Sequence, residues 1–247
     1  MGSTQSPSRK RRGNPLQWDF TDRSGYNVRT DITCCDHCQD AEDLFDETKA
    51  RTELRQYRRN GPPNKCSRLL IDGLKTLDLK DKTLLDVGGG VGMIPFELLE
   101  AGVTNATLVE GSSPYLEVAE KEACRRGLRD QLSFEYGDFV DRAPEFSKAD
   151  LVTLDRVFCC YPHLERLVKA STAKAGRWYG VTYPKEQWYN KIVEGMAGVY
   201  CWVRDMAFRM HVHSGVEDTI RDEGFEPFYQ VTTALWRVEL YERDNPA

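Results

Sequence analysis

No hydrophobic run in this chain approaches the roughly 18 apolar residues a membrane-spanning helix needs, so a helical membrane protein is excluded. The opening residues, MGSTQSPSRKRRGNP, lack the apolar core of a secretory signal. There is no internal repeat. An excess of positive charge is also missing: 34 basic residues stand against 39 acidic, a net charge of −5, which argues against a dedicated nucleic-acid binder. The Arg9–Arg12 run reads as a solvated tail, with a localisation or phosphate-contacting patch as the alternative. Eight cysteines without a secretion signal predict reduced thiols and a cytoplasmic protein rather than a disulfide framework.

What is present fits one sizeable core. At 247 residues and 40% hydrophobic, the chain predicts one domain with appendages. Residues 1–40 are expected to be a flexible arm, and 41–247 a single domain that opens with helices over 41–78, broken at Gly61-Pro62-Pro63. The informative segment is Leu84 to Gly92, LLDVGGGVG. Leu84, Leu85 and Val87 make a buried strand, and Gly88, Gly89, Gly90 and Gly92 let the backbone turn sharply and approach a ligand. MIPFELLEAG then carries Ile94, Leu98 and Leu99 at helical spacing, with Gly102 as a stop. A second strand, Ala106 to Val109, ends in Glu110, placed to accept hydrogen bonds from both hydroxyls of a ribose. A helix from about Pro114 to Gly127 follows.

LSFEYGDFVD supplies a third strand and then Gly137-Asp138-Phe139, a polar and aromatic pair suited to an adenine amino group and ring face. ADLVTLDRVFCCYP supplies a fourth, ending at Asp155-Arg156. From about residue 80 onward, this series resembles the class I S-adenosylmethionine-dependent methyltransferases. The resemblance implies an α/β, Rossmann-like sheet of seven strands with the last antiparallel, and S-adenosylmethionine as cofactor. It also implies that Asp86 opens the cofactor loop, Gly88, Gly90 and Gly92 carry it past the methionine moiety, and Glu110 holds the ribose. Asp138 would meet the adenine amine with Phe139 against the ring, and Gly111, Ser112 and Asp155 would complete the set. Gly89 departs from the small or cysteine residue usual there. Helix capping is the other reading of Asp86 and Glu110, and an NAD-dependent oxidoreductase shares the ribose carboxylate.

LFDETKARTELRQYRRNGPP and DRVFCCYPHLERLV look like small-molecule methyltransferases related to magnesium-protoporphyrin O-methyltransferase. That similarity would bring Tyr57 and its neighbouring arginines near the cofactor carboxylate, whereas helical spacing alone reads Tyr57 as core. Beyond a fifth strand, Arg177 to Tyr183, the aromatic-rich stretch 185–210 predicts a helical lid over an apolar acceptor, or else a helix packed on the domain or at a dimer interface. A helix from about Ser214 to Glu223 and a terminal antiparallel hairpin close the sheet.

A small-molecule acceptor bound by Arg156, Cys160 and Trp188 is the expectation, Arg156 being suited to a carboxylate. His213, with Tyr161 beside the site, is the candidate base. An extended chain would turn His211 and His213 to opposite sides, leaving one for the site. Cys34, Cys35 and Cys38 are candidate soft-metal ligands, or an incidental thiol-rich loop; Cys159 and Cys160 read first as small apolar filler. Two alternatives follow from the thiols: cysteine-assisted methylation of a soft metal, metalloid or thiol, and a non-catalytic cofactor- or metal-sensing protein on the same fold.

Overall fold

A computed structural model describes residues 45–186 and 211–244. In chain order these form α1 (Glu47–Asn60), α2 (Lys65–Leu74), β1 (Thr83–Val87), α3 (Met93–Glu100), β2 (Asn105–Glu110) and α4 (Ser113–Arg126). There follow β3 (Leu132–Tyr136), α5 (Phe139–Arg142), β4 (Ala149–Asp155), α6 (Leu164–Thr172) and β5 (Ala175–Pro184). After the gap come α7 (Val216–Asp222), β6 (Phe225–Thr232) and β7 (Trp236–Arg243). The arm with Cys34, Cys35 and Cys38, and all but the first two residues of the expected lid, with Trp188, lie outside the described residues.

The seven strands form one sheet in the order β3-β2-β1-β4-β5-β7-β6. β1 to β5 pair in parallel, and β7 runs antiparallel to both β5 and β6. This is the expected α/β sheet with its last strand reversed. The strand period of two feeds two cores. Leu84, Leu151 and Trp178 pack with α1 to α4 on one face. Leu85, Val87, Val152, Leu154 and Tyr179 pack with α5 to α7 on the other.

Local sequence explains the elements that position the site. Asp46 caps α1 by accepting from the Lys49 N–H at 2.8 Å, and Glu47, Arg58 and Arg59 complement the helix dipole. Ala50, Leu54 and Tyr57 form its buried stripe, and Gly61 ends it at a positive φ. Ser112 caps α4 and Gly127 stops it in a left-handed conformation. α1, through Glu53, and α2, through Ser67, both reach the carboxyl end of β4, and α2 also lies on β5 and β7. Gly73 makes that close approach possible, since a Cβ there would stand 2.9 Å from the Tyr229 ring.

Candidate active site

β1, β2, β3 and β4 all deliver an acidic residue to the carboxyl edge of the sheet or just past it: Asp86, Glu110, Asp138 and Asp155. Asp86 is fully buried. One carboxylate oxygen accepts from the Thr153 hydroxyl at 2.6 Å, and Oδ2 has no hydrogen-bond partner among the described residues. Burial pushes this carboxyl up to about 8; the Thr153 hydrogen bond opposes the rise, and Asp155 and Glu110 add to it.

The glycine turn is built around that carboxylate. Gly88 and Gly90 have φ values of 65° and 58°. A Cβ on Gly88 would sit 2.6 Å from Val157 Cγ2, and one on Gly89 would sit 2.3 Å from Asp86 Oδ2. Gly89, the departure from the usual loop, is therefore required here: no side chain fits over Asp86.

Glu110 closes the turn. Its two oxygens accept from the Gly90 N–H at 2.8 Å and the Ser112 N–H at 3.0 Å. Burial raises its pKa, and the N–H groups of Gly90, Ser112 and Gly111 counter it. Ser112 itself is occupied: its hydroxyl caps α4 and donates to the Phe45 carbonyl at 2.7 Å. Asp138 accepts from the Val140 N–H at 2.8 Å and from the Tyr161 hydroxyl at 3.2 Å. Phe139 departs from expectation. Its ring is 5% exposed, sits in the core on the α5–α7 side of the sheet and stacks one face on Phe146 at 5.8 Å.

Beyond β4, Asp155 accepts from the hydroxyls of Ser67 and Thr182. Arg156 follows in a left-handed conformation, φ 62°. Its guanidinium stands 3.6 Å from both Glu53 and Asp155, its Nε lacks a hydrogen-bond partner among the described residues, and the Asn64 amide oxygen, turned inward, accepts from Nη1 at 3.0 Å. Burial lowers and the two carboxylates raise its pKa, with a net rise. Arg156 opens onto a cavity of about 390 Å³ that Phe45, Thr48, Glu53, Asn64 and Tyr115 also line. The Tyr115 hydroxyl donates to Glu53 at 3.1 Å, and its ring is 3.7 Å from where a Gly90 Cβ would be. The cavity thus adjoins the glycine turn.

Two expectations fail on geometry. Tyr57 is not at the turn. It is 3% exposed in the core, donates to Glu97 at 2.9 Å and lies under the Arg126 guanidinium; the neighbouring Arg58 pairs with Glu122. The stripe of α1 faces α4, which carries these residues away from the cofactor loop. His211 and His213 are not split to opposite sides either: residues 211–213 form no strand, and the two rings stack at 5.7 Å with 20° between planes. His213 Nε2 lies 2.8 Å from the Tyr161 carbonyl. Glu53, Asn64 and Tyr115 escaped the sequence reading. Glu53 alone left a trace there, as an acidic residue beside the apolar stripe of α1.

No protein-family model matches the chain, and no curated protein sequence matches it. Solved structures do. The magnesium protoporphyrin IX methyltransferase of Synechocystis PCC 6803, with S-adenosylhomocysteine bound, superposes with a TM-score of 0.63 at 17% identity, over 83% of this chain and 98% of that one. An O-methyltransferase family protein of Burkholderia thailandensis gives 0.61 at 14%, over 83% and 64%. A putative methyltransferase of Haloferax volcanii in complex with the Trm112 activator gives 0.61 at 16%, over 83% and 97%. The fold is that of the class I methyltransferases. At these identities the likeness establishes the methyltransferase fold, and the chemistry rests on the residues of the site.

Proposed function

We propose that this methyltransferase-fold protein transfers a methyl group from S-adenosylmethionine to a small molecule bound beside Arg156. The observation that carries the reading is the left-handed glycine turn closed between two acidic strand ends, Asp86 and Glu110, on this sheet. The residues present fit the cofactor. Glu110 has lone pairs left for two ribose hydroxyls, Asp138 stands just past β3 where an adenine amine would lie, and the unpartnered Asp86 Oδ2 lies below the turn that would hold the methionine moiety. Gly111, Ser112 and Asp155 flank these groups, with the Ser112 and Asp155 side chains spent on positioning. S-adenosylmethionine would supply an electrophilic methyl group, open to in-line attack by the acceptor with S-adenosylhomocysteine as the leaving group.

The chain's own residues align the acceptor, exclude water and take its proton. Arg156 is suited to an anionic group, and Cys160 lies on the same loop. His213 is the candidate base: with Nε2–H donating to the Tyr161 carbonyl, Nδ1 keeps the lone pair a base needs. Tyr161 serves differently. Burial and Asp138 hold its hydroxyl protonated, so it orients Asp138 and His213 and takes no proton itself.

Calorimetric titration with S-adenosylmethionine, S-adenosylhomocysteine and NAD tests the cofactor, with Glu110→Ala alongside. The first two are expected to bind and to lose affinity in the variant. Binding of NAD alone would overturn the reading.

A further inference from the structure

The loop after β4 ends in two adjacent thiols that the methyl-transfer reading uses only in passing. Arg156, turned left-handed, brings its carbonyl under the short 3-10 turn Phe158–Cys160. Cys159 Sγ lies 3.1 Å and Cys160 Sγ 3.6 Å from that one carbonyl oxygen, so both sulfurs converge on one side of the turn, 3.6 Å apart. The Cys160 N–H bonds the Val157 carbonyl at 2.8 Å, and the His211 N–H holds the Cys159 carbonyl at 2.8 Å, which fixes the backbone under both thiols. Cys159 is buried and Cys160 half-buried, so a small ligand reaches the pair from the Cys160 side.

We propose that Cys159 and Cys160 form a bidentate thiol site for a trivalent arsenical, a soft centre that takes two protein sulfurs and brings its third substituent itself. The spacing supports it: two sulfurs each about 2.3 Å from one pyramidal soft centre, at an angle of roughly 100°, stand about 3.5 Å apart, against the 3.6 Å found here. A disulfide requires about 2.05 Å, far shorter than the separation here. A closed zinc site takes four protein ligands, and among the described residues no group of three or more His, Cys, Asp or Glu is placed to hold a metal. The pair's own chemistry also suits ligation. Contact with the Cys159 sulfur lowers the Cys160 thiol against its burial, and the Arg156 guanidinium favours its thiolate further, while the same contact and burial raise Cys159. With a hydrated monosubstituted arsenical, RAs(OH)₂, two As–O bonds break and two As–S bonds form. Each hydroxide leaves as water with one thiol proton, and no oxidant or reductant is needed.

The inference is independent of methyl transfer, and its test uses no cofactor. Phenylarsine oxide is added to the full chain in a Cys34→Ser, Cys35→Ser, Cys38→Ser background, which removes the other adjacent cysteine pair. Intact mass and peptide mapping are expected to show one phenylarsenic bridging Cys159 and Cys160, stable to excess monothiol and released by a dithiol. Cys160→Ser, at a half-buried position, is expected to weaken retention by about 100-fold or more, since one thiolate of a chelating pair is gone. An adduct that maps elsewhere, that excess monothiol removes, or that Cys160→Ser leaves unchanged would overturn the proposal.

Discussion

Replacing Asp86 by Asn tests the buried carboxylate directly. Asn keeps the size of the side chain and an oxygen for the Thr153 hydroxyl, and removes the ionisable proton. In the folded protein Asp86 holds its proton up to about pH 8, whereas an unfolded aspartate releases it near 3.9. The folded pKa is raised, so this group's contribution to stability is complete below about pH 4, declines as pH rises and levels off above about 8. A gap of about four pH units at about 1.4 kcal/mol each sets a ceiling of about 5–6 kcal/mol, which relaxation and water entry reduce. The neutral Asn variant lacks this decline. Urea unfolding of both proteins at pH 6, 7, 8 and 9 should therefore show the variant gaining on the wild type by about 2 kcal/mol between pH 6 and 8. Comparing the two at each pH cancels the other titrating groups. The same variant should bind S-adenosylmethionine more weakly, because an acidic group kept buried under the cofactor turn, able to ionise toward a cationic ligand, is then replaced by an amide that cannot. A stability difference that is flat with pH would refute the buried-carboxylate argument, and undiminished affinity would refute its link to the cofactor.

His213→Ala should lower kcat by about 100-fold or more while leaving S-adenosylhomocysteine affinity unchanged; full turnover in a methyl-transfer assay removes the base assignment. Tyr161→Phe removes the hydroxyl on Asp138 and should weaken cofactor binding about fivefold, the worth of one hydrogen bond, with little change in kcat at saturation. Glu122 is fully buried and bonded by Arg58, Arg125 and Arg126. Burial alone would raise its pKa, but the arginine hydrogen bonds hold it down at about 2, so its contribution is present above about pH 4.5 and lost as pH falls toward 2. With Arg58 and Arg125 half in solvent, Glu122→Gln should cost about 1–2 kcal/mol at pH 7 and nearly nothing at pH 2, as read by chemical denaturation. Gly89→Ala should reduce cofactor affinity and stability together, since its Cβ has no room over Asp86; an unchanged melting temperature would show that the turn yields freely.

The fold was legible because its signals are local. Strands with a period of two, glycines with positive φ and caps such as Ser112 and Gly127 stand within a few residues of the elements they define. The acidic strand ends were legible for the same reason. What sequence could not place depends on partners far along the chain. Tyr57 lies in the buried stripe that helical spacing alone implied, and only the resemblance drew it toward the cofactor; its partner Glu97, like the Arg58 partner Glu122, lies far along the chain. The convergence of Glu53, Asn64 and Tyr115 on Arg156 has no local trace beyond one acidic residue beside an apolar stripe. His211 and His213 show the opposite failure. Opposite sides were expected only for an extended chain, and contacts with the Cys159 and Tyr161 carbonyls fold that segment differently.

The absent side chain of Gly88 couples the two halves of the site. Val157 Cγ2 fills the space a Cβ would need, so the cofactor turn and the loop carrying Arg156 and the paired thiols share a wall one methyl group thick. Whatever shifts one loop shifts the other, and by linkage the same free energy then appears in both affinities. Under the proposed methyl transfer, variation that retunes this protein toward a new acceptor therefore carries a change in its hold on the methyl donor, unless the valine stays where it is.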